Sequence, residues 1–322
     1  MKTIPRLHFA HLPTSIEALP RLSAALGGPT LIVKRDDQTG LAFGGNKTRK
    51  LEFLLAEAQA HGARTIITAG AVQSNHCRQT AAAAARLGLD CILVLAGDTP
   101  DLPSGNLLLD ELLGAEIVSA HNSERDLVLK ETFEAAWNAG RRPYQVPYGG
   151  SNPTGATGYV YAMKEMVDQC VNSPPDWIVF PSSSGGTQAG LLVGARLFGY
   201  EGQILGISVD EPADKLQEKV ASLATATADY IGKPFTFDKG MVQVNSDYLG
   251  GGYGVMGESE RKAMTLFART EGLIVDPVYT GRAAAGLIDL IGKGFFRKED
   301  RVLFWHTGGA PALFAERYRQ SI

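Results

Sequence analysis

The sequence has few cysteines, no long apolar run and no surplus of basic residues. Its 322 residues include three cysteines, Cys77, Cys91 and Cys170, whose odd number and wide spacing indicate neither a disulfide framework nor a zinc site. No apolar stretch approaches the roughly 20 residues that span a bilayer. The net charge of −3 lacks the basic excess of a dedicated nucleic-acid binder. We therefore expect a protein of the reducing cytoplasm with no metal, no membrane partner and no nucleic-acid partner.

The composition is that of a globular protein rich in glycine. Hydrophobic residues make up 44% and charged residues 20% of the chain, which excludes global disorder. The 37 glycines favour an enzyme over a binding protein, because tight turns and anion-binding loops need glycine. At about 150 residues per domain, the length predicts two domains.

Short apolar runs alternate with amphipathic segments, which predicts an α/β protein with a parallel sheet. The predicted strands are Leu31–Lys34, Thr65–Ala69, Cys91–Leu95, Glu116–Ser119, Trp177–Phe180, Ile204–Val209, Leu273–Val275 and Val302–Trp305. The predicted helices are Thr48–His61, Asn75–Leu87, Asn106–Leu113, Glu124–Ala139, Thr154–Val171, Thr187–Phe198, Glu258–Glu271 and Ala283–Ile291. The first helix should bury one face, formed by Leu51, Leu54, Leu55 and Ala58.

A glycine pair leads into a lysine at the start of the first of these helices, in Gly44-Gly45-Asn46-Lys47. Asn46 is a candidate helix N-cap. Cations are unfavourable at a helix N-terminus, yet Lys47, Arg49 and Lys50 are crowded there. A lysine near positive charge and partly removed from water is a better amine nucleophile and can form a Schiff base. The alternative is an ordinary solvated lysine.

Two further turns each lead from a predicted strand into a predicted helix. In residues 70–78, backbone N–H groups beside Ser74 and Asn75 predict a site for a carboxylate. In residues 180–190, small and hydroxyl-bearing side chains predict a cradle for a single phosphate, because no lysine follows to bind a nucleotide γ-phosphate. The alternative for each is an ordinary capped turn.

Two tyrosines complete the set of candidate site residues. Tyr253 lies among glycines, and Tyr279 follows a predicted strand, where α/β proteins place functional side chains. A Schiff-base lysine, a carboxylate site, a single-phosphate cradle and these tyrosines together indicate the chemistry of pyridoxal 5′-phosphate (PLP).

The sequence resembles the 1-aminocyclopropane-1-carboxylate (ACC) deaminase / D-cysteine desulfhydrase family of fold-type II PLP-dependent enzymes. The resemblance runs nearly end to end, from residues 34–37 to residues 306–309. Its most specific part is residues 44–52, and residues 73–75 and 276–279 support it. It implies the PLP fold type II (tryptophan synthase β-like), with two open parallel-sheet α/β domains and the active site between them.

The resemblance also implies a division of the chain and an oligomeric state. Residues 50–160 would form a small α/β domain, inserted into a large PLP-binding domain of residues 1–49 and 161–322. The family is typically homodimeric, so we expect a homodimer.

The resemblance assigns roles to individual residues. Lys47 matches the lysine that binds PLP covalently, and Asn75 matches the residue that faces the phenolic oxygen of the cofactor. The residues that match the phosphate loop are Ser184, Gly185, Gly186 and Thr187. Those that match the loop for the substrate carboxylate are Ser74, Asn75 and His76, although ACC deaminases commonly have Gln at the position of His76. Tyr253 and Tyr279 match two active-site tyrosines.

Two positions separate the branches of the family. ACC deaminases have Glu after the tyrosine that matches Tyr279 and Leu in the final His-x-Gly-Gly segment, whereas this chain has Thr280 and Thr307, as the desulfhydrase-like members do. A carboxylate would hold a proton on the pyridine nitrogen and make PLP a strong electron sink. A threonine hydroxyl can only donate a hydrogen bond to that nitrogen. We expect at least one of the two hydroxyls, with Thr307 the first choice, to contact it.

The weaker sink is sufficient when an α-proton and a good β-leaving group both depart. We therefore expect PLP-dependent α,β-elimination from a β-substituted amino acid, foremost D-cysteine, giving pyruvate, ammonia and hydrogen sulfide. Lys47 or a nearby tyrosine would accept the α-proton. The alternatives are an L-cysteate sulfo-lyase, then an ACC deaminase, and, outside enzymes, a catalytically silent PLP-binding protein. For a sulfonate, the candidate cationic partners are Lys50, His76 and Arg78.

Overall fold

The structure, a computed structural model, describes residues 2–98 and 100–319 and contains two sheets. In chain order, the strands are β1 (Ile16–Ala18), β2 (Thr30–Lys34), β3 (Thr65–Ala71), β4 (Asp90–Ala96), β5 (Glu116–Ala120), β6 (Pro143–Gln145), β7 (Trp177–Ser182), β8 (Gln203–Ser208), β9 (Gln243–Asn245) and β10 (Arg301–Trp305). The large sheet has the order β1-β2-β10-β7-β8-β9, and the small sheet has the order β5-β4-β3-β6. All neighbouring strands are parallel except β1 and β2.

Helices connect the strands and pack on both sheets, so that the chain forms two parallel-sheet α/β domains of PLP fold type II. In chain order they are α1 (Pro20–Leu26), α2 (Asn46–Ala60), α3 (Asn75–Arg86), α4 (Gly105–Leu112), α5 (Arg125–Asn138), α6 (Pro153–Gln169), α7 (Gly186–Phe198), α8 (Ala213–Tyr230), α9 (Glu258–Glu271), α10 (Thr280–Gly292) and α11 (Glu316–Arg319). All eight predicted helices are present, with ends that differ by at most three residues.

Seven of the eight predicted strands are confirmed, and the eighth, Leu273–Val275, is wrong. Leu273 and Val275 are buried in the core of the large domain, which explains why the run is apolar. The segment is nevertheless an irregular connection between α9 and α10. The carbonyl of Ile274 lies 3.0 Å from Nε2 of His306, so a side chain takes the place of a neighbouring strand.

The apolar face of α2 is confirmed as a buried surface. Its predicted residues pack with residues of α3, β3 and β4 in the core of the small domain; they are Leu51, Leu54, Leu55 and Ala58. On the large domain, α6 contributes Tyr159 and Met163 to a second core that includes Phe180 of β7 and Trp305 of β10. Helices α2 and α6 are therefore anchored to different sheets.

A buried ionic network joins these two helices. Arg49 of α2 pairs with Asp36, at 2.7 Å, and with Glu165 of α6, at 2.9 Å. Glu165 also pairs with Lys34 at the end of β2, at 2.6 Å. Because α2 carries Lys47 two residues before Arg49, the network fixes the start of α2 relative to the large sheet.

The predicted domain boundaries stay predictions, and they fall inside α2 at residues 49/50 and inside α6 at residues 160/161. Within residues 2–98 and 100–319, no helix combines the length and apolar character needed to cross a bilayer. The same residues contain no cluster of histidine, cysteine and acidic side chains that could hold a metal ion.

Candidate active site

A cavity lies between the two sheets, at the C-terminal ends of their parallel strands, where open α/β sheets bind ligands. Its walls are the loops after β3 and β6 of the small sheet and after β7 and β10 of the large sheet, with the starts of α2 and α10. The lining residues are Asn46, Lys47, Ser74, Asn75, His76, Tyr148, Gly149, Pro181, Ser182, Ser183, Ser184, Gly185, Thr187, Tyr279, Thr307 and Gly308. Within the described part of the chain, no carboxylate side chain lines this cavity.

Lys47 lies in the first turn of α2, held by its neighbour Asn46. The prediction that Asn46 caps the helix is wrong, because α2 begins at Asn46 and its N-cap is Gly45, with a φ of 127°. The backbone N–H of Asn46 donates to Thr307 O (3.0 Å), its Nδ2 donates to Thr187 Oγ1 (3.1 Å), and its Oδ1 accepts from Lys47 Nζ (3.1 Å). Asn46 thus holds the Lys47 amine between the loops that follow β7 and β10.

The electrostatic surroundings make Lys47 a weaker base than an ordinary lysine. Burial lowers the pKa of Lys47 from 10.5 to about 8; the carboxylate of Asp276 opposes this shift and the guanidinium of Arg78 adds to it. A lysine with such a pKa is partly neutral near pH 7 to 8, and the neutral amine is the form that attacks a carbonyl or accepts a proton.

The first turn of α3 presents unused donors to the cavity. Ser74 is its N-cap, and Ser74 Oγ accepts from the backbone N–H of Cys77 at 3.2 Å, so the hydroxyl proton is free to donate. Within the described residues, the backbone N–H groups of Asn75 and His76 have no acceptor. A hydroxyl and two N–H groups at the positive end of a helix form a site for a carboxylate.

The side chain of His76 contributes an acceptor rather than a cation. Its Nε2 lies 2.9 Å from Thr68 Oγ1, whose single proton is donated to Val146 O at 2.8 Å. Nε2 therefore carries the hydrogen, and Nδ1 is a buried lone pair without a partner among the described residues. Burial, with Lys47 and Lys50 nearby, lowers the pKa of His76 well below its usual range. The imidazole is neutral and cannot attract an anionic group by charge.

The loop between β7 and α7 has the form of an anion cradle. α7 has no side-chain cap, and its N-cap is Gly185, whose φ of 86° lies in the left-handed region. The N–H of Gly186 donates to Ser151 Oγ (3.2 Å), and Ser184 Oγ lies 2.8 Å from the same atom. The hydroxyl of Thr187 accepts from Asn46, which leaves its proton available to an anion.

Lys50 is a buried amine beside this cradle. Its Nζ donates to Gly149 O at 3.0 Å and to Ser151 Oγ at 3.4 Å. No carboxylate in the described residues pairs with it, whereas the buried Lys34 pairs with Glu165. Burial and the charge of Lys47 lower the pKa of Lys50 well below its usual range. A phosphate at the start of α7 would supply the missing negative charge, so this surrounding fits a phosphate ester.

Tyr253 and Tyr279 form a pair at the edge of the cavity. Their hydroxyl oxygens are 2.6 Å apart and their rings meet edge to face. Tyr253 does not itself line the cavity, but it fixes the Tyr279 hydroxyl. Burial raises the pKa of both phenols well above the usual value, so both stay protonated. The buried Arg282 holds the loop that contains Tyr253 in place by donating hydrogen bonds to Gly252 O and Val255 O.

The structure separates Thr280 from Thr307. Thr280 is fully buried, and its Oγ1 donates to Asp276 Oδ1 at 2.7 Å while accepting from the Asp276 N–H at 2.7 Å. Thr280 therefore does not line the cavity, and its proton is already used. Thr307 does line it, and its Oγ1 has no hydrogen-bond partner among the described residues.

Two glycines allow Thr307 to reach this position. A Cβ on Gly308 would lie 2.7 Å from Gly45 Cα, and a Cβ on Gly309 would lie 2.5 Å from Asp276 Cγ. Both glycines also have left-handed φ values, of 88° and 114°. Only glycine lets the chain pass this closely between the α2 loop and Asp276.

Of the twelve residues predicted from the sequence, nine line the cavity: Lys47, Ser74, Asn75, His76, Ser184, Gly185, Thr187, Tyr279 and Thr307. The other three, Gly186, Tyr253 and Thr280, lie behind lining residues. Sequence reasoning missed Asn46 as a connecting residue, and it missed Tyr148 and Ser151. The glycines beside Tyr148 were a local signal, but a turn explains them equally well. No local signal distinguishes Ser151.

Comparison with known proteins assigns this arrangement to a class. The profile of the family described as "Pyridoxal-phosphate dependent enzyme" matches residues 7–308. A solved structure of an ACC deaminase homologue is 38% identical, with a TM-score of 0.89 over 99% of this chain and 95% of that chain. The protein thus belongs to the PLP-dependent enzymes of fold type II, and within them to the ACC deaminase / D-cysteine desulfhydrase family.

More distant structures share the fold alone. The processed form of threonine deaminase isoform 2 from Solanum lycopersicum is 16% identical, with a TM-score of 0.66 over 93% of this chain and 80% of that chain. A hydrogen sulfide-producing enzyme from Fusobacterium nucleatum is 14% identical, with a TM-score of 0.66 over 94% of this chain and 97% of that chain. At these identities, the similarity says nothing about the substrate of this protein.

The residues of the cavity fit PLP, the cofactor of this class. The free donors and the unpaired Lys50 at the start of α7 suit its phosphate, and the Lys47 amine suits covalent attachment to its aldehyde. When bound, PLP supplies an electron sink that withdraws electrons from the α-carbon of an amino acid.

Proposed function

We propose that the protein catalyses α,β-elimination from a β-substituted amino acid, with D-cysteine as its substrate. D-Cysteine and water would give pyruvate, ammonia and hydrogen sulfide. The observation that carries this proposal is the cavity lining, which includes the free hydroxyl of Thr307 and, within the described residues, no carboxylate. A hydroxyl donates to the pyridine nitrogen without holding a proton on it, so the sink is moderate. A moderate sink suits a substrate with an α-hydrogen and a good leaving group.

Lys47 is the residue best suited to accept the α-proton. Its pKa of about 8 places it close to balance between its two protonation states. The phenols of Tyr253 and Tyr279 have raised pKa values, so the tyrosinate form that a base would need is scarce. The protonated hydroxyl of Tyr279, which lines the cavity and is held by Tyr253, can instead donate a hydrogen bond to the sulfur. The sulfur leaves as thiolate with the electron pair of the broken carbon–sulfur bond.

The start of α3 would hold the substrate carboxylate. The Ser74 hydroxyl and the N–H groups of Asn75 and His76 supply donors, while the His76 side chain offers only the Nδ1 lone pair. Fixing the carboxylate there would hold the substrate in the cavity that Lys47 also lines.

A panel of substrates tests the proposal directly. The purified, PLP-loaded enzyme is incubated separately with D-cysteine, L-cysteine, L-cysteate and ACC, and the keto acid, sulfide and sulfite released are measured. We expect pyruvate and sulfide in equal amounts from D-cysteine and essentially no product from ACC. Faster deamination of ACC than desulfhydration of D-cysteine would contradict the proposal. No turnover on any β-substituted amino acid would indicate a silent PLP-binding protein.

L-Cysteate is the second candidate substrate, and Arg125 is the observation that favours it. The Cζ atom of Arg125, at the start of α5, lies 4.7 Å from the ring centre of Tyr148, which lines the cavity. A cation at this position could attract a sulfonate. Against this reading, the Arg125 Nε already donates to Asp126 at 2.9 Å. Sulfite from L-cysteate with no sulfide from D-cysteine would move the assignment to this substrate.

The three side chains that the sequence offers as cationic partners for a sulfonate are less suited to bind one. Lys50 donates to Gly149 and Ser151, the neutral His76 has no charge to offer, and Arg78 does not line the cavity. This arrangement is the reason for preferring D-cysteine to L-cysteate.

Replacing Thr307 and Thr280 separately tests the role of the hydroxyl. We expect Thr307→Val to lower kcat for D-cysteine about tenfold, because one hydrogen bond to the reacting system is lost. Thr280→Val is the control: it removes the two hydrogen bonds between the Thr280 hydroxyl and Asp276 and should lower the melting temperature, with a smaller effect on kcat. A loss of kcat that is confined to Thr280→Val would contradict this assignment.

We also propose that the enzyme is a cytoplasmic homodimer. Its three cysteines are buried and unpaired, which suits a reducing compartment, and homodimers are typical of the family that the sequence resembles.

A further inference from the structure

Arg78 is a buried guanidinium that contacts three parts of the site without lining the cavity. Its Nη1 donates to Asn75 Oδ1 at 2.9 Å and also to Asn106 Oδ1. Its Nη2 donates to Gly44 O at 2.9 Å, in the loop that precedes Lys47. Asn106 Nδ2 in turn donates to Asn75 Oδ1 at 3.0 Å. These four residues, Arg78, Asn75, Asn106 and Gly44, are called the Arg78 cluster below.

The cluster determines which end of the Asn75 amide faces the cavity. An arginine has donors only, so each amide that meets it must present its oxygen. Asn75 Oδ1 receives two donors from behind, one from Arg78 and one from Asn106. Asn75 Nδ2 then has no acceptor among the described residues, although Asn75 lines the cavity. The Nδ2 hydrogens are left for a ligand.

The charge of Arg78 is also incompletely balanced. Within the described residues it forms no ion pair, and its Nε has no partner. The acidic groups that act on it are Asp110 of α4 and Asp276, neither of which hydrogen-bonds to it. Burial raises the pKa of Asp110 to about 8, so this carboxyl group balances little of the charge near neutral pH. Arg78 also repels the nearby Lys47. A positive charge placed behind a hydrogen-bond donor favours a negatively charged acceptor in front of that donor.

We propose that Arg78 is a positioning residue, which acts through Asn75 to aim an amide N–H at the anionic phenolic oxygen of PLP. The inference rests on the placement of that oxygen beside Asn75, which the resemblance implies. Arg78 itself does not touch the cofactor. Its role is to prevent the Asn75 amide from turning over and presenting its oxygen, which would repel the anion.

The test compares two cofactors: PLP and 3-deoxypyridoxal 5′-phosphate, which lacks the phenolic oxygen. The dissociation constant of each is measured with apoenzyme of the native protein and of Arg78→Met. We expect Arg78→Met to weaken the binding of PLP about tenfold or more and the binding of the deoxy analogue less than about twofold. The reason is that the lost interaction is a charge-assisted hydrogen bond to the phenolic oxygen, which only PLP has. Arg86→Met, at the exposed end of the same helix, is the matched control and should change neither constant.

Equal weakening of both cofactors would overturn the proposal, since it would indicate that Arg78 merely supports the fold. If Arg78→Met does not fold, Asn106→Leu can be used instead, because it removes the other donor to Asn75 Oδ1. Asn106→Leu should weaken PLP binding selectively, but to a smaller degree. Equal weakening of both cofactors by Asn106→Leu would also overturn the proposal. Combining Arg78→Met with Asn75→Leu should weaken PLP binding no more than Asn75→Leu alone. Additive losses would contradict action through Asn75. Because these measurements involve no substrate, they are independent of the outcome of the substrate panel.

Discussion

Loss of turnover by about a thousandfold or more is the expected result of replacing Lys47 with alanine, because covalent attachment of PLP and acceptance of the α-proton are both assigned to this amine. Elimination from D-cysteine is followed as sulfide release. In the native enzyme, borohydride reduction should link PLP to Lys47, and peptide mapping of the reduced protein checks the position. Lys47→Ala should lose that adduct.

Lys50→Ala is the control for this experiment, since Lys50 lies one turn further along α2 and is also buried. This variant should bind PLP more weakly but keep the adduct on Lys47. An adduct on Lys50 in the native enzyme would contradict the assignment. The kcat of the native enzyme should rise as the pH passes the pKa of Lys47, about 8, because deprotonation produces the neutral amine that accepts the α-proton.

The second large effect concerns the phosphate cradle. We expect Gly185→Val to weaken PLP binding about tenfold or more, because a β-branched residue cannot easily adopt the left-handed φ of 86° that shapes the start of α7. A Cβ there would also lie 3.2 Å from Val220 Cγ2. The measurement is titration of apoenzyme with PLP.

Gly199→Val provides a matched control at the other end of the same helix. Gly199 has a similar φ of 70°, and a Cβ there would meet nothing within 4 Å. Both variants should lose stability from backbone strain, and only Gly185→Val should lose affinity for PLP. If the two variants bind PLP equally well, the phosphate lies elsewhere.

Much of the fold could be predicted from the sequence, because its signals are local. Continuous apolar runs located seven strands, and the apolar spacing of α2 identified its buried face. The strands that were missed, β1, β6 and β9, have three residues each, which is too short for any periodicity. The long helix α8 was missed although its buried residues Leu216, Val220, Ala224 and Ala228 recur every four positions. The strand predicted from the apolar run at 273–275 was wrong, because a buried segment does not have to pair with a neighbouring strand.

The sequence by itself determined the class of chemistry: a lysine after paired glycines, a Ser-Gly-Gly-Thr turn and a Ser-Asn helix start each follow from neighbouring residues. The tertiary structure alone decided which hydroxyl is free. Thr280 is bound to Asp276, whereas Thr307 faces the cavity. It also decided the orientation of the Asn75 amide, through Arg78 and Asn106. The physical reason is that a hydrogen bond depends on where partners far apart in the chain meet, and local patterns carry no information on that meeting.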